Sequence, residues 1–153
     1  MAITAPILSQ FAALLGPKGY CDDPEVLAPW LVDWRNLYHG KTLAMLSPES
    51  TQQVMAIMAL ARDAGIPLVP QGGNTSMVGG ATPPADGSAL LLSTRRMNRI
   101  RSVDADSAMI VADAGVILSN VHDAAQEHGL RFPLTLGAKG SATIGGLVST
   151  NAG

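Results

Sequence analysis

Two stretches of this sequence put main-chain amides, rather than charged side chains, where an anion could be held. In VPQGGNTSMVGG (Val69 to Gly80), Gly72, Gly73, Gly79 and Gly80 surround Asn74, Thr75 and Ser76, with no charged residue among them. Glycine accepts positive φ without steric cost, and asparagine tolerates the left-handed region better than most residues. Successive N–H groups in such a turn can converge on one concavity and bind an anion. The apolar run Ile66 to Val69 leads in, so a buried strand is expected to deliver a phosphate-binding loop.

The second stretch, FPLTLGAKGSATIGGLVSTNAG (Phe132 to Gly153), is again rich in Gly, Ser and Thr. Neither stretch fits the commonest nucleotide signatures. A Rossmann fingerprint needs GxGxxG opening a helix, but Gly72-Gly73 continues as NTSMVGG with no helical pattern behind it. A Walker A loop needs Lys followed directly by Ser or Thr, and in Lys139-Gly140-Ser141 a glycine intervenes. That leaves two neutral loops about 65 residues apart, each preceded by a proline at the end of an apolar run. Lining one groove, they would neutralise a diphosphate with N–H dipoles, as a dinucleotide site does. Taken singly, each reads as a surface loop.

Other side chains offer less. His39, His122 and His128 stand alone in the sequence and read as solvated or capping histidines. Arg95, Arg96, Arg99 and Arg101 read as the exposed face of a strand pair, and Asp104 and Asp106 as turn formers. The single cysteine, Cys21, excludes an internal disulfide framework and fits a reducing compartment. At 153 residues, 47% hydrophobic and 14% charged, the chain is globular and sized for one domain. A net charge of −2 gives no electrostatic case for nucleic acid. No apolar run approaches the roughly 20 residues that span a bilayer.

The elements that must position the loops follow from periodicity. Residues 5–15 read as a helix stopped by Gly16-Pro17, and 19–40 as an extended arm that packs its two Trp residues on the domain. Lys41 to Leu46 reads as a strand, and Ser47-Pro48 as the cap and first position of a helix. Val54, Ile57, Met58 and Ala61 give that helix its apolar stripe, and Gly65 closes it. Strand, helix, strand and Gly-rich loop make a βαβ unit, which places the loop where open α/β sheets bind ligands. Ala89 to Leu92, Arg99 to Val103 and Met109 to Ala112 read as strands, and Val116 to His128 as a second helix closed by Gly129.

PQGGNTSMVGG (Pro70 to Gly80), LSTRRMNRI (Leu92 to Ile100) and FPLTLGAKGSATIGGLVSTNAG (Phe132 to Gly153) resemble the FAD-binding, PCMH-type domain of FAD-linked oxidases. This is the vanillyl-alcohol-oxidase-like superfamily, and the resemblance within it is to D-2-hydroxyglutarate and related D-2-hydroxyacid dehydrogenases. It covers the chain from about Asp33 onward. It implies an α+β fold, a small βαβ subdomain followed by a mixed or antiparallel sheet with helices. Residues 1–40 would form an N-terminal helix and arm, and 41–153 the N-terminal part of the FAD-binding domain.

The same resemblance implies a set of cofactor contacts. Pro70 and Gln71 would lead into the loop, and Gly72, Gly73, Asn74, Thr75 and Ser76 would hold the FAD pyrophosphate by main-chain amides. Gly79 and Gly80 would shape the loop. Pro133 and the bend through Gly137, Gly140 and Ser141 would flank the ribityl–isoalloxazine side. Thr143, Ile144, Gly145 and Gly146 would let the backbone pass close to the cofactor, with Asn151 and Gly153 near the flavin. Lys139 could place a cation there. Some relatives attach FAD through a His in the first loop; with Gln71 and no His there, noncovalent binding is implied.

The implied reaction is oxidation of a D-2-hydroxy acid to the 2-keto acid, with hydride passing from C2 to flavin N5. In the family a later substrate domain supplies the base and the acid-binding residues. The sequence therefore reads as a piece of a longer protein, inactive by itself and a weak binder of FAD. The alternative reading is a stand-alone flavin- or nucleotide-binding module without catalysis. A homo-oligomer is compatible with either, and the electron acceptor is left open. MAITAPILSQFAALLG carries no positive residue before its apolar part, so neither a signal peptide nor a mitochondrial presequence is read there. The expected location is the cytoplasm.

Overall fold

A computed structural model describes residues 3–152, so the expectation placed on Gly153 lies outside the described residues. In chain order come helix α1 (Ala5–Gly19), strand β1 (Tyr20–Cys21), helix α2 (Pro24–Leu27) with a 3-10 turn at Ala28–Trp30, and strand β2 (Met45–Leu46). Helix α3 (Thr51–Ala64) is followed by β3 (Leu68–Gln71) and β4 (Leu90–Ser93). The hairpin β5 (Ile100–Asp104) and β6 (Met109–Ala112), helix α4 (Leu118–Glu127) and helix α5 (Ile144–Ser149) complete the order.

Strand β4, LLLS, is buried along its whole length because it lies between two parallel neighbours, β2 and β3. Such a strand needs an uninterrupted apolar run. Strand β1 adds to β2 antiparallel, so the four-stranded sheet is mixed, while β5 and β6 form a separate antiparallel pair. The pleat sends alternate side chains to opposite faces. Leu90, Leu92 and Leu46 therefore pack with Phe11 and Leu15 of α1 and Ile57 and Ala61 of α3. Leu91 and Met45 face the other way, onto Leu27 and Trp30. All three parallel strands end at one edge of the sheet, and the Gly72 loop leaves from that edge.

Several local expectations are corrected. Helix α3 is capped by Ser50, whose hydroxyl accepts from the Gln53 N–H at 3.2 Å, rather than by Ser47. The Gln53 side chain in turn accepts from the Glu49 N–H at 2.8 Å, one residue before the cap. The expected strand from Lys41 shrinks to Met45–Leu46. Met58 is exposed, and the inward stripe of α3 runs through Ile57, Leu60, Ala61 and Ala64. Trp34 is exposed, whereas Trp30 packs on the sheet with the Arg95 guanidinium 3.9 Å above its ring. Residues 144–149 are helical, although two glycines obscure the pattern.

Of the arginine run, Arg95, Arg99 and Arg101 are exposed as expected and Arg96 is half-buried, but each guanidinium also has a partner. Arg96 donates to the Ser47 carbonyl and pairs with Glu49, and Arg99 and Arg101 converge on Asp113. Asp113 is 2% exposed and sits where the hairpin hands over to the segment before α4. Burial pushes its carboxyl up. Hydrogen bonds from the Arg101 side chain and the Arg99 N–H, with the Arg101 charge, outweigh that and hold it below the usual carboxylate range. As expected, Asp104 forms the hairpin turn, accepting from the Asp106 and Ser107 N–H groups.

A depressed folded value makes Asp113 stabilising above its unfolded value of about 3.9, and that contribution is lost as pH falls through the folded value. Asp113→Asn is expected to cost about 1–2 kcal/mol at neutral pH, the arginine partners being half exposed or more. The variant should then lose less stability than the parent between about pH 5 and pH 3. Denaturant melts across that range check it, and parallel losses contradict it.

Candidate functional site: a junction of two glycine loops

The first loop starts where β3 ends. Gln71, 2% exposed, turns its side chain under the loop, its amide nitrogen donating to the carbonyl oxygens of Trp30 (3.0 Å) and Ala81 (2.9 Å). Its two partners lie on the arm and at the loop's far end, so one side chain fixes the loop's footprint. Asn74 takes the left-handed conformation (φ 53) and donates from its amide to the Val32 carbonyl at 2.8 Å. Gly79 (φ 70) lets the ring of Tyr38 close in; a Cβ there would meet that ring at 2.6 Å. The arm from residue 31 to 40 thus braces the loop from outside.

The arm holds its bend through Asp33. Its buried carboxylate accepts from the N–H groups of Tyr38 (2.6 Å), Leu37 (2.7 Å) and Arg35 (3.0 Å), and those bonds, Tyr38 first, hold its pKa below the usual range.

The second stretch approaches the first directly. A Cβ on Gly72 would fall on the Thr143 hydroxyl, and one on Gly73 would fall on the Ser141 carbonyl oxygen. Gly73 is therefore required by contact between the loops, whatever binds there. Behind this junction, residues 114–118 run antiparallel to 142–145. Leu118 donates to the Ala142 carbonyl (2.9 Å), Ile144 to Val116 (2.9 Å) and Gly145 to Ala114 (2.8 Å). Gly145 owes its missing side chain to Ala114, whose Cβ would lie 2.7 Å from an added one. Gly115 is a residue sequence reasoning missed: an added Cβ would strike the Thr94 carbonyl, just past β4. The only local signal was the Asp113-Ala114-Gly115 turn.

What remains unspent at the junction is main-chain hydrogen-bonding capacity. Among the described residues, the N–H groups of Gly72 through Met77 donate to no other group of the chain. Those of Gly72 to Ser76 are carried by half-buried residues. Gly80, Gly137 and Gly140 have open space where a Cβ would stand, and none carries a positive φ that would demand glycine. Thr143 is 3% exposed, and its hydroxyl finds no partner beneath Gly72. A row of free donors beside bare backbone, with no carboxylate in either loop, suits an elongated diphosphate such as FAD.

The remaining residues lie around this centre. Pro70, Pro133, Gly137, Gly140 and Ser141 are exposed, Gly146 is half-buried, and Lys139 points to solvent. Asn151 (φ 49) closes α5 as its left-handed cap. Among the described residues no group of His, Cys, Asp and Glu could hold a metal. His122 is not a capping residue; it bonds the Leu134 carbonyl.

Residues 42–153 match the family model described as an FAD-binding domain. The chain belongs to this FAD-binding-domain family. FAD is the family's cofactor. The chain is 42% identical, over 95% of its length, to the mitochondrial D-2-hydroxyglutarate dehydrogenase of Arabidopsis thaliana, of which it covers 26%. Against the mitochondrial D-2-hydroxyglutarate dehydrogenase of Bos taurus the identity is 44% over 90% of this chain and 25% of that protein. The FAD-binding domain seen here thus spans about a quarter of these relatives.

Solved structures share its fold. Alkyldihydroxyacetonephosphate synthase superposes with a TM-score of 0.85 at 19% identity, covering 97% of this chain and 32% of that one. For p-cresol methylhydroxylase the score is 0.76 at 23% identity, over 98% and 30%. The α+β, PCMH-type fold is therefore the one expected. The cytoplasmic location is corrected by the relatives' names, which are mitochondrial. An address is carried by a local, removable segment, so a domain's composition does not report it.

Gly73→Ala is expected to lower stability by about 1–3 kcal/mol, because a carbonyl cannot rotate out of the way as a side-chain end would. Gly140→Ala should stay within about 0.5 kcal/mol of the parent. Thermal melts without ligand check the contrast, and equal melting points for all three proteins contradict it.

Proposed function

We propose that this chain is the FAD-holding part of a flavin-dependent dehydrogenase that oxidises a D-2-hydroxy acid to the 2-keto acid. The observation that carries the proposal is the loop junction: unspent N–H groups from Gly72 to Met77 beside the second glycine bend, in a chain of the FAD-binding-domain family. In this reading the amides of Gly72 to Ser76 take the pyrophosphate. The bare positions at Gly80, Gly137 and Gly140 admit the cofactor close to the backbone, and Pro133 and Ser141 flank its ring end. Binding by amide dipoles suits a charged group without the desolvation that buried lysines or arginines would add.

Bound there, FAD supplies the acceptor for the hydride removed from C2 of the hydroxy acid. The chain's own share is to hold and orient. Gln71 is committed to two carbonyl groups and offers no nucleophile, which supports noncovalent attachment. The relatives' names favour D-2-hydroxyglutarate as the acid. Among the described residues none near the junction is a tuned base, and in this reading the base comes from elsewhere in the whole enzyme.

Titration with FAD, followed by acid precipitation, tests both parts. The expected result is saturable binding, with all the flavin in the supernatant after precipitation. Gly140→Ala, with its melting point kept, should weaken binding about tenfold, or 1.4 kcal/mol. Absence of binding overturns the holding role, and flavin retained in the pellet overturns noncovalent attachment.

A further inference from the structure

We propose that His122 is a positioning residue: its imidazole clamps the strap of residues 131–136 to helix α4, and so sets where Pro133 and the bend at Gly137 to Ser141 meet FAD. This rests on the FAD-holding reading above. Residues 131–135 exchange no main-chain hydrogen bond with any other described residue. Their side chains alternate. Phe132, Leu134 and Leu136 turn inward onto Leu118, Ala142 and Leu147, while Arg131, Pro133 and Thr135 stay exposed. Apolar contact of this kind is non-directional. It keeps the strap down without fixing how far it slides along the groove.

For residues 131–135 the one directional tie among the described residues comes from His122, whose Nε2 lies 2.7 Å from the Leu134 carbonyl oxygen. A carbonyl only accepts, so Nε2 carries the proton and donates it. The same ring lies 6.0 Å from the Phe132 ring, tilted by 44°. One side chain on α4 thus engages the strap at two alternate residues. Helix α4 is a firm base for it, anchored by buried Leu118, Val121 and Ala125. The Nε2 proton is present in both the neutral Nε2–H tautomer and the imidazolium, so the clamp does not depend on charge. A clamp one turn of chain before Gly137 fixes the register in which that glycine bend is delivered.

The test compares the parent chain with His122→Ala and His122→Gln, whose amide N–H can reach the same carbonyl. Two readouts are used: the rate of tryptic cutting after Arg131, and FAD titration with the shape of the visible flavin band. His122→Ala is expected to speed the cut and weaken FAD binding, each about fivefold for one lost hydrogen bond, and to alter the band. His122→Gln is expected to restore all three to within about twofold of the parent. A merely structural histidine would speed the cut and leave the affinity and band of the bound flavin unchanged, and that result overturns the proposal. So does an alanine variant cut and bound as the parent is. A parent that fails to bind FAD overturns the holding reading and the positioning role with it, which keeps the two failures distinct.

Discussion

The contact of Gly73 with the Ser141 carbonyl is the constraint on which the candidate site depends. Two segments far apart in sequence come close enough there that no side chain fits between them. Everything nearby keeps that approach possible. Strand β3 is held parallel to buried β4, so the first loop leaves the sheet at a fixed place. Gly115 passes against the Thr94 carbonyl and carries the chain from the hairpin toward the second bend. The pairing of residues 114–118 with 142–145 then delivers Ser141 to Gly73.

Polar side chains in and around the first loop serve this geometry. Gln71, Asn74 and Asp33 each spend their hydrogen bonds on main-chain groups of the arm or the loop. Arg99 and Arg101 are spent on Asp113. With these side chains used structurally, the free donors left at the junction are main-chain amides together with the Thr143 hydroxyl. That division of labour is consistent with the proposed diphosphate site carrying so little formal charge.

Elements with local signals were legible in the sequence. Gly65 closing α3 with φ 64, the apolar run of β4, the Asp104 turn and the two glycine segments could all be read directly. Their causes lie within a few residues. What was misread has its cause elsewhere in the chain. The partners of the arginine run went unread because Asp113, Trp30 and Glu49 are distant in sequence. His122 looked like a cap because Leu134 reaches it only after the chain turns back. Ser47 and Ser50 offer the same side chain, and the bond from the Gln53 N–H to the Ser50 hydroxyl, with the Gln53 side chain on the Glu49 N–H, decides between them. Helix α5 hid behind Gly145 and Gly146, where Gly145 answers to Ala114 rather than to helix propensity.

The most direct measurement follows the backbone amides by NMR while FAD is added to the labelled chain. Diphosphate binding by the junction predicts saturable shifts that are largest at the amides of Gly72 to Ser76, with smaller ones at Gly137 to Ser141. Saturable shifts elsewhere, with Gly72 to Ser76 unmoved, would contradict it.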